Sequence, residues 1–437
     1  MGAMTTRAKP HKAPSRPALP LGTPTRRAAL RLLDAVLRRG EALEAAFPAA
    51  TRDIVSPPDR GLAHAIAAET LRRLPDLDAL IDSATRQRLP DDAKARMALR
   101  IALAQTLALG TPAHAAIATV LPLVEGGPRR LVHGVFGTLV RQGVALPEVP
   151  TLPEVVAARW RASWGEEMVA AAARAIAAPP PLDLTLRDPA WAGLEGESLA
   201  PGHLRLTDAG PVPELAGYDE GAWWVQDLAA SIPARLIGAG TGIGTGRALD
   251  LCAAPGGKTL QLAAAGWRVT AVDASKSRAA RLGENLARAG LAADTVVADV
   301  LEWSPEAPAE VVLVDAPCSA TGIFRRHPDV LHRAHAGVIA QMAELQQRIL
   351  ARAGDWVTPG GVLVYATCSL EPEEGEAQIA RFLAARGDFA VMPPAAGELP
   401  EGITAHPDGH VRTLPGTAEA KGGCDGFFIA RLRRASA

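Results

Sequence analysis

Apolar positions recur with a helical period in the first third of the chain and with a strand period in its second half. Leu30, Leu33 and Leu37 follow i, i+3, i+7 spacing while Arg27, Arg31 and Arg38 lie off that stripe, which predicts a helix with one buried face. A second helix is expected from Asp59, as its cap, with Leu62, Ile66 and Leu71 inward. Further helices are expected at 75–85, 91–109, 112–124 and 128–142, divided by Pro75, Pro90, Gly110-Thr111-Pro112 and Gly126-Gly127-Pro128. Breaks this short predict an all-α bundle over 25–143. Pro147, Pro150 and Pro153 mark a linker, one helix runs through Trp160 to Ile176, and Pro179-Pro180-Pro181 stops it.

Residues 182–187 alternate as a strand, and Trp223-Trp224-Val225 with Gln226-Asp227 suggest another, so 144–235 reads as a linker and a small mixed α/β segment. The Trp pair is expected in a core. From residue 236 a different rhythm sets in. Short apolar strands at 248–251, 268–272, 295–298, 310–314 and 361–366 alternate with helical stretches at 259–265 and 277–289, and 424–432 forms a last strand. That alternation predicts a mostly parallel, doubly wound sheet. The glycine-rich run 238–246 contains GxGxxG-like registers but precedes the first strand, so it reads as a lead-in.

Composition narrows the class. The 437 residues are 48% hydrophobic and 21% charged, enough for several cores and too apolar for disorder. No run approaches the ~20 apolar residues of a spanning helix, and the basic, Pro-rich residues 1–24 lack the apolar centre of a secretory signal. A cytoplasmic protein with a flexible basic arm is expected, monomeric because no heptad pattern appears. The net charge of -1 hides an asymmetry: residues 1–150 carry 21 Lys plus Arg against 13 acids, the remainder 25 against 34. A basic N-terminal part suits a nucleic-acid docking module. Cys252, Cys318, Cys368 and Cys424 form neither a disulfide framework nor a metal-binding pair, so no metal is expected.

The chemistry-bearing residues fall where strands end: Asp273, Asp299, Asp315 and Cys368. In an open α/β sheet ligands bind beyond the carboxyl ends of the strands. The turn Cys252-Ala253-Ala254-Pro255-Gly256-Gly257-Lys258 brings backbone close to a ligand, Asp273 can accept from ribose hydroxyls, and Asp299 can receive an adenine amino group. These residues describe a nucleoside-bearing cofactor, and by themselves they leave dinucleotide and S-adenosylmethionine open. Gln226-Asp227 are a further candidate contact. Cys318 and Cys368 lie where strands pass into loops, beside helix starts whose amides favour thiolate. The acidic run Glu371, Glu373, Glu374 and Glu376 opposes that effect at Cys368.

Three stretches decide the resemblance: LDLCAAPGGKT at 249–259, VDAPCSATGIFRRHPD at 314–329 and LVYATCSLEPEEGEAQI at 363–379. With WWVQDLAA at 223–230 and DGFFIARL at 425–432, they closely resemble bacterial RNA cytosine-5 methyltransferases of the Sun/Fmu type, which act on 16S ribosomal RNA. DRGLAHAIAAETLRR at 59–73 and RLVHGVFGTLVRQ at 130–142 resemble the NusB-like RNA-binding domain of that subfamily. The resemblance implies a multidomain chain: a NusB-like bundle, a small α/β segment, and a class I, Rossmann-like methyltransferase domain at 236–437. It implies S-adenosylmethionine in the 252–258 turn, its ribose on Asp273, its adenine on Asp299, and Asp315 near both cofactor and cytosine. Cys368 would be the nucleophile and Cys318 would help release product, the reverse of DNA cytosine-5 methyltransferases, in which the cysteine of the Pro-Cys motif attacks. Arg325, Arg326 and His327 are candidates for RNA phosphates or flanking bases. The same chemistry on transfer RNA or another ribosomal RNA site, or a non-catalytic RNA-binding assembly factor, are the alternatives.

Overall fold

The computed structural model describes residues 20–177, 179–238 and 246–436. Most of the basic arm and of the glycine-rich lead-in therefore lies outside the described residues. The chain forms two compact units.

The first unit comprises, among described residues, 20–34, 46–70 and 77–145. Its helices are α1 (Thr23–Arg39), α2 (Leu43–Thr51), α3 (Pro57–Arg72), α4 (Leu74–Ser83), α5 (Lys94–Leu107), α6 (Ala113–Val120) and α7 (Gly126–Arg141), of which α1 to α4 extend in part beyond it. The expected stripe on α1 is rotated. Leu32, Leu33 and Val36 are buried, whereas Leu30 and Leu37 are half-buried, because Ala28 and Ala29 let the helix approach its neighbours on that side. On α3 the Ser56 hydroxyl accepts from the Asp59 N–H at 3.4 Å, so Ser56 occupies the capping place expected for Asp59. Ile66 and Leu71 are buried as expected and Leu62 only half so.

The second unit holds residues 35–45, 71–76 and the described residues from 146 onward. Residues expected to form one helix form two, α8 (Glu154–Trp164) and α9 (Glu166–Ile176), parted by Gly165 at φ 84°. A small antiparallel sheet follows, β1 (Leu182–Leu186) flanked by β2 (His203–Leu206) and β3 (Trp223–Val225). Trp223 and Trp224 are buried.

After α10 (Leu228–Gly238) comes the main sheet. Its parallel part contains β4 (Arg247–Leu251), β5 (Arg268–Asp273), β6 (Asp294–Val297), β7 (Ala309–Asp315) and β8 (Val357–Thr367). The connecting helices are α11 (Gly257–Ala264), α12 (Lys276–Ala289), the short α13 (Val330–Arg333) and α14 (Ala336–Asp355). Beyond α15 (Glu376–Ala385), β9 (Phe389–Val391), β10 (Val411–Thr413) and β11 (Phe427–Arg434) add an antiparallel margin. The order is β10-β11-β8-β7-β4-β5-β6, with β9 also on β11.

Successive strand side chains point to opposite faces, and both faces here are covered, which is why the strands read as unbroken apolar runs. Ala248, Val311, Leu313, Val362 and Val364 pack on Leu228, Ile232 and Leu236 of α10 and Leu262 of α11. Leu249, Leu251, Val312, Val314, Leu363 and Tyr365 pack on Ile349 and Leu350 of α14 and Ile379 and Phe382 of α15. Among the described residues, no helix is long and apolar enough to cross a membrane.

Candidate active site

Strand register brings the expected residues to one edge. Leu251 pairs with both Val272 and Val314, and Asp315 pairs with Ala366. The ends of β5, β4, β7 and β8 therefore stand side by side, each about 4.8 Å from the next. Asp273, the 252–256 turn, Asp315 and Cys368 follow in that order.

The turn is shaped by backbone. Cys252 has φ 61° and Gly256 φ 112°, and a Cβ on Gly256 would stand 2.3 Å from Leu282 Cδ1. Asp273, fully buried, accepts from the Ala254 N–H at 3.1 Å and the Ser275 N–H at 2.8 Å and pairs with Arg278 at 3.0 Å. It thus ties the turn to the start of α12. Asp299 lies exposed beyond β6, and its Oδ1 accepts from the Leu301 N–H at 2.8 Å.

Lys258, in the first turn of α11, reaches across to Asp315 at the end of β7, Nζ to Oδ2 2.7 Å. Burial acts against the ammonium, but Asp315 and the nearby Asp250 outweigh it and hold the Lys258 pKa above its ordinary value. Asp250 is completely buried in β4, bonded by the Thr259 hydroxyl at 2.5 Å, and its Oδ1 has no partner. Burial pushes its carboxyl up to about 7; the Thr259 bond and Lys258 oppose the rise, and Asp315 and Asp273 reinforce it. A raised folded pKa contributes stability that is complete below the ordinary value of 3.8 and is lost as pH rises through about 7. Asp250→Asn removes this titration. Its stability relative to the parent should rise from pH 4 to about pH 7 in urea unfolding and level off above that; a difference that stays flat throughout would refute the assignment.

Cys318 and Cys368 face each other, Sγ to Sγ 3.4 Å, as free thiols. The hydrogen bond to Cys368, then burial, then the nearby charge of Glu374 push the Cys318 thiol well above its ordinary value. Burial pushes Cys252 up to about 12 and raises Cys424 as well. Among the described residues the one cluster with metal-ligand spacing is His406, Asp408 and His410, and no cysteine belongs to it. Backbone bonds join the two cysteine loops: the Gly322 N–H donates to the Cys368 carbonyl at 2.9 Å, and the Gly426 N–H to the Gly322 carbonyl at 2.9 Å. A Cβ on Gly322 would lie 1.9 Å from the Gly426 carbonyl oxygen.

Residues 244–433 match the 16S rRNA methyltransferase RsmB/F family, and residues 23–127 match the NusB family. The chain is 33% identical over 444 residues to ribosomal RNA small subunit methyltransferase B of Xanthomonas campestris pv. campestris, covering 95% of this chain and 98% of that protein. It is 35% identical over 437 residues to the protein of the same name from Xylella fastidiosa, covering 94% and 98%. The chain belongs to the RsmB/F methyltransferase family. The crystal structure of PH0851 shares the fold at TM-score 0.71 and 21% identity, covering 94% of this chain and 99% of that one. That of NSun6 from Pyrococcus horikoshii with SFG does so at 0.55 and 19%, covering 65% and 99%.

This family member is an S-adenosylmethionine-dependent methyltransferase with a NusB-like helical region and a Rossmann-like domain. Its residues fit the cofactor. A turn with two left-handed residues and no bulky side chain presents backbone beside Asp273, and the exposed Asp299 carboxylate keeps an oxygen for an amino group. Lys258 belongs to the expected cofactor turn, but its ammonium is committed to Asp315.

Two expectations need correction. Arg325 is buried and bound to Asp425 and Asp227, both at 3.2 Å, and to the Gly422 carbonyl at 3.0 Å. Arg326 donates to the Pro181 carbonyl at 3.2 Å and to Asp227 at 3.3 Å. Two buried carboxylates demand two cations, so these arginines clamp the loop after Cys318 instead of meeting RNA phosphates. His327 is half-buried beside them. Asp227 serves this same clamp, and Gln226 accepts from the Trp224 indole N–H at 2.8 Å and bonds Gln261 at 2.7 Å. Sequence reasoning missed Glu374, which lay inside an acidic run. The structure disperses that run: Glu371 pairs with Arg159, Glu376 with Arg412, Glu373 is exposed, and Glu374 turns inward.

Proposed function

We propose that this methyltransferase modifies C5 of one cytosine in 16S ribosomal RNA through a covalent adduct between Cys368 and C6, working as a cytoplasmic monomer with the NusB-like region holding RNA around the target. The observation that carries this reading is the pair of sulfurs 3.4 Å apart at the strand edge that also carries Asp315 and the 252–258 turn. The names of the full-length relatives support small-subunit ribosomal RNA as the target.

Cytosine C5 is a weak nucleophile. The target base must first leave its stack to reach a pocket at the strand ends. Cys368 then adds as thiolate to C6 and places electron density on C5. Lys258 lies close enough to Cys368 for the two charges to interact. Lys258 Nζ donates to Asp315 Oδ2. A proton passed from that ammonium through Asp315 to N3 offsets the charge that builds on the ring as sulfur adds. S-adenosylmethionine, when bound against the 252–258 turn, Asp273 and Asp299, supplies an electrophilic methyl group. A water molecule takes the C5 proton, the electron pair of that bond expels Cys368 from C6 as thiolate, and the neutral Cys318 thiol can hydrogen-bond the departing sulfur.

The test is methylation of protein-free small-subunit RNA in vitro, with the modified base mapped by mass spectrometry. One 5-methylcytosine in 16S RNA is expected. Label appearing only in transfer RNA, or none in any RNA, would overturn the reading.

A further inference from the structure

We propose that Glu374 is a positioning residue that sets the geometry of the two cysteines by gripping the residue after each of them. This rests on the methyl-transfer reading for its consequence, though not for its geometry.

Glu374 follows β8 in a short 3₁₀ turn (Pro372–Glu374), and its side chain is wholly buried. Burial pushes the Glu374 carboxyl up, and four hydrogen-bond donors oppose that rise. Oε2 accepts from the Ser319 N–H at 2.9 Å and from Gln346 Nε2 at 2.8 Å. Oε1 accepts from the Ser369 hydroxyl at 3.0 Å and from the Ser319 hydroxyl. Ser319 follows Cys318 and Ser369 follows Cys368, so a single carboxylate binds both cysteine loops. Gln346 also donates to the Pro317 carbonyl at 2.9 Å, closing the grip from the other side of Cys318. The Glu374 backbone carbonyl is fixed in turn by the Tyr365 hydroxyl at 2.8 Å.

Glu374 also stands near Cys318, and after the Cys368 contact and burial its charge discourages ionisation of that thiol. Glu374 touches neither thiol through a hydrogen bond of its own and acts through the serines.

Phenylarsine oxide reports the sulfur pair without RNA or cofactor. Arsenic forms two bonds to sulfur, the two thiol protons leave with the oxide oxygen as water, and nothing is oxidised. The parent enzyme should take up one arsenical across Cys318 and Cys368, identified by peptide mass spectrometry. Glu374→Ala and the milder Glu374→Gln should bind it at least about tenfold more weakly, because the second thiol is no longer held at high effective concentration. In turnover, kcat should fall by about 10²-fold, while KM for RNA and the affinity for S-adenosylmethionine by calorimetry stay within about twofold. Ser319→Ala should reproduce part of the loss, which keeps the test open if Glu374→Ala does not fold. Parental arsenical binding and kcat in the Glu374 variants would overturn the proposal, and so would equal losses in kcat, RNA KM and cofactor affinity. If the parent enzyme methylates no RNA, the methyl-transfer reading fails while the arsenical experiment still judges the grip.

Discussion

Cys368→Ala should abolish methylation, with kcat reduced by at least about 10³-fold and no covalent protein–RNA species, because no other group at the strand edge can add to C6. Cys424 is buried away in the β11 approach, and Cys252 is pushed up to about 12. Cys318 is the nearest substitute, but its proton is held by the Cys368 contact, by burial and by Glu374. Removing Cys368 lifts the first of these constraints and leaves the other two. Cys318→Ala should give the opposite phenotype: addition proceeds, release stalls, and a denaturation-resistant protein–RNA band accumulates in gels. Cofactor affinity should be unchanged in both. Full turnover by the Cys368 variant, or an adduct trapped in it and absent from the Cys318 variant, would reverse the two roles.

Gly322→Ala should produce the largest loss of stability of any single methyl addition near the site. The added carbon would stand 1.9 Å from the Gly426 carbonyl oxygen, a backbone atom that cannot swing aside as a side chain would. Three segments meet there: the Cys368 carbonyl accepts from Gly322, and the Gly322 carbonyl accepts from Gly426. Overpacking a buried site costs about 1–3 kcal/mol, and parting these bonds adds about 1 kcal/mol for each bond lost. A drop of about 3 kcal/mol in chemical denaturation is expected, together with weaker arsenical bridging. Wild-type stability would mean that the backbone relaxes around the methyl group.

The parts of this structure that were legible from sequence rest on local rules. Parallel strands buried on both faces are apolar runs, and the residue ending each run is polar by contrast, so Asp273, Asp299, Asp315 and Cys368 could be placed on one edge before any coordinates. Elements without such contrast were missed. Helix α2 contains Pro48 and too few large residues to show a stripe, β2 is only His203–Leu206 with Arg205 buried in mid-strand, and α14 was not delimited. The last strand begins at Phe427, later than expected, because Asp425 and Gly426 bond Asp227 and Gly322 instead of a neighbouring strand. Arg325 shows the same limit. A basic loop after a reactive cysteine reads as a phosphate contact until Asp227, about a hundred positions earlier, is seen beside it. Partners distant in sequence leave no trace in a single chain, and Glu374 was hidden for that reason.

The bond from Gly426 to Gly322 ties the Cys318 loop to a segment about a hundred positions further along the chain. A nascent chain that has not yet emerged past Gly426 has both sulfurs but lacks the backbone that fastens their loops. The segment leading into β11 thus supplies the backbone donor that fastens the Cys318 loop.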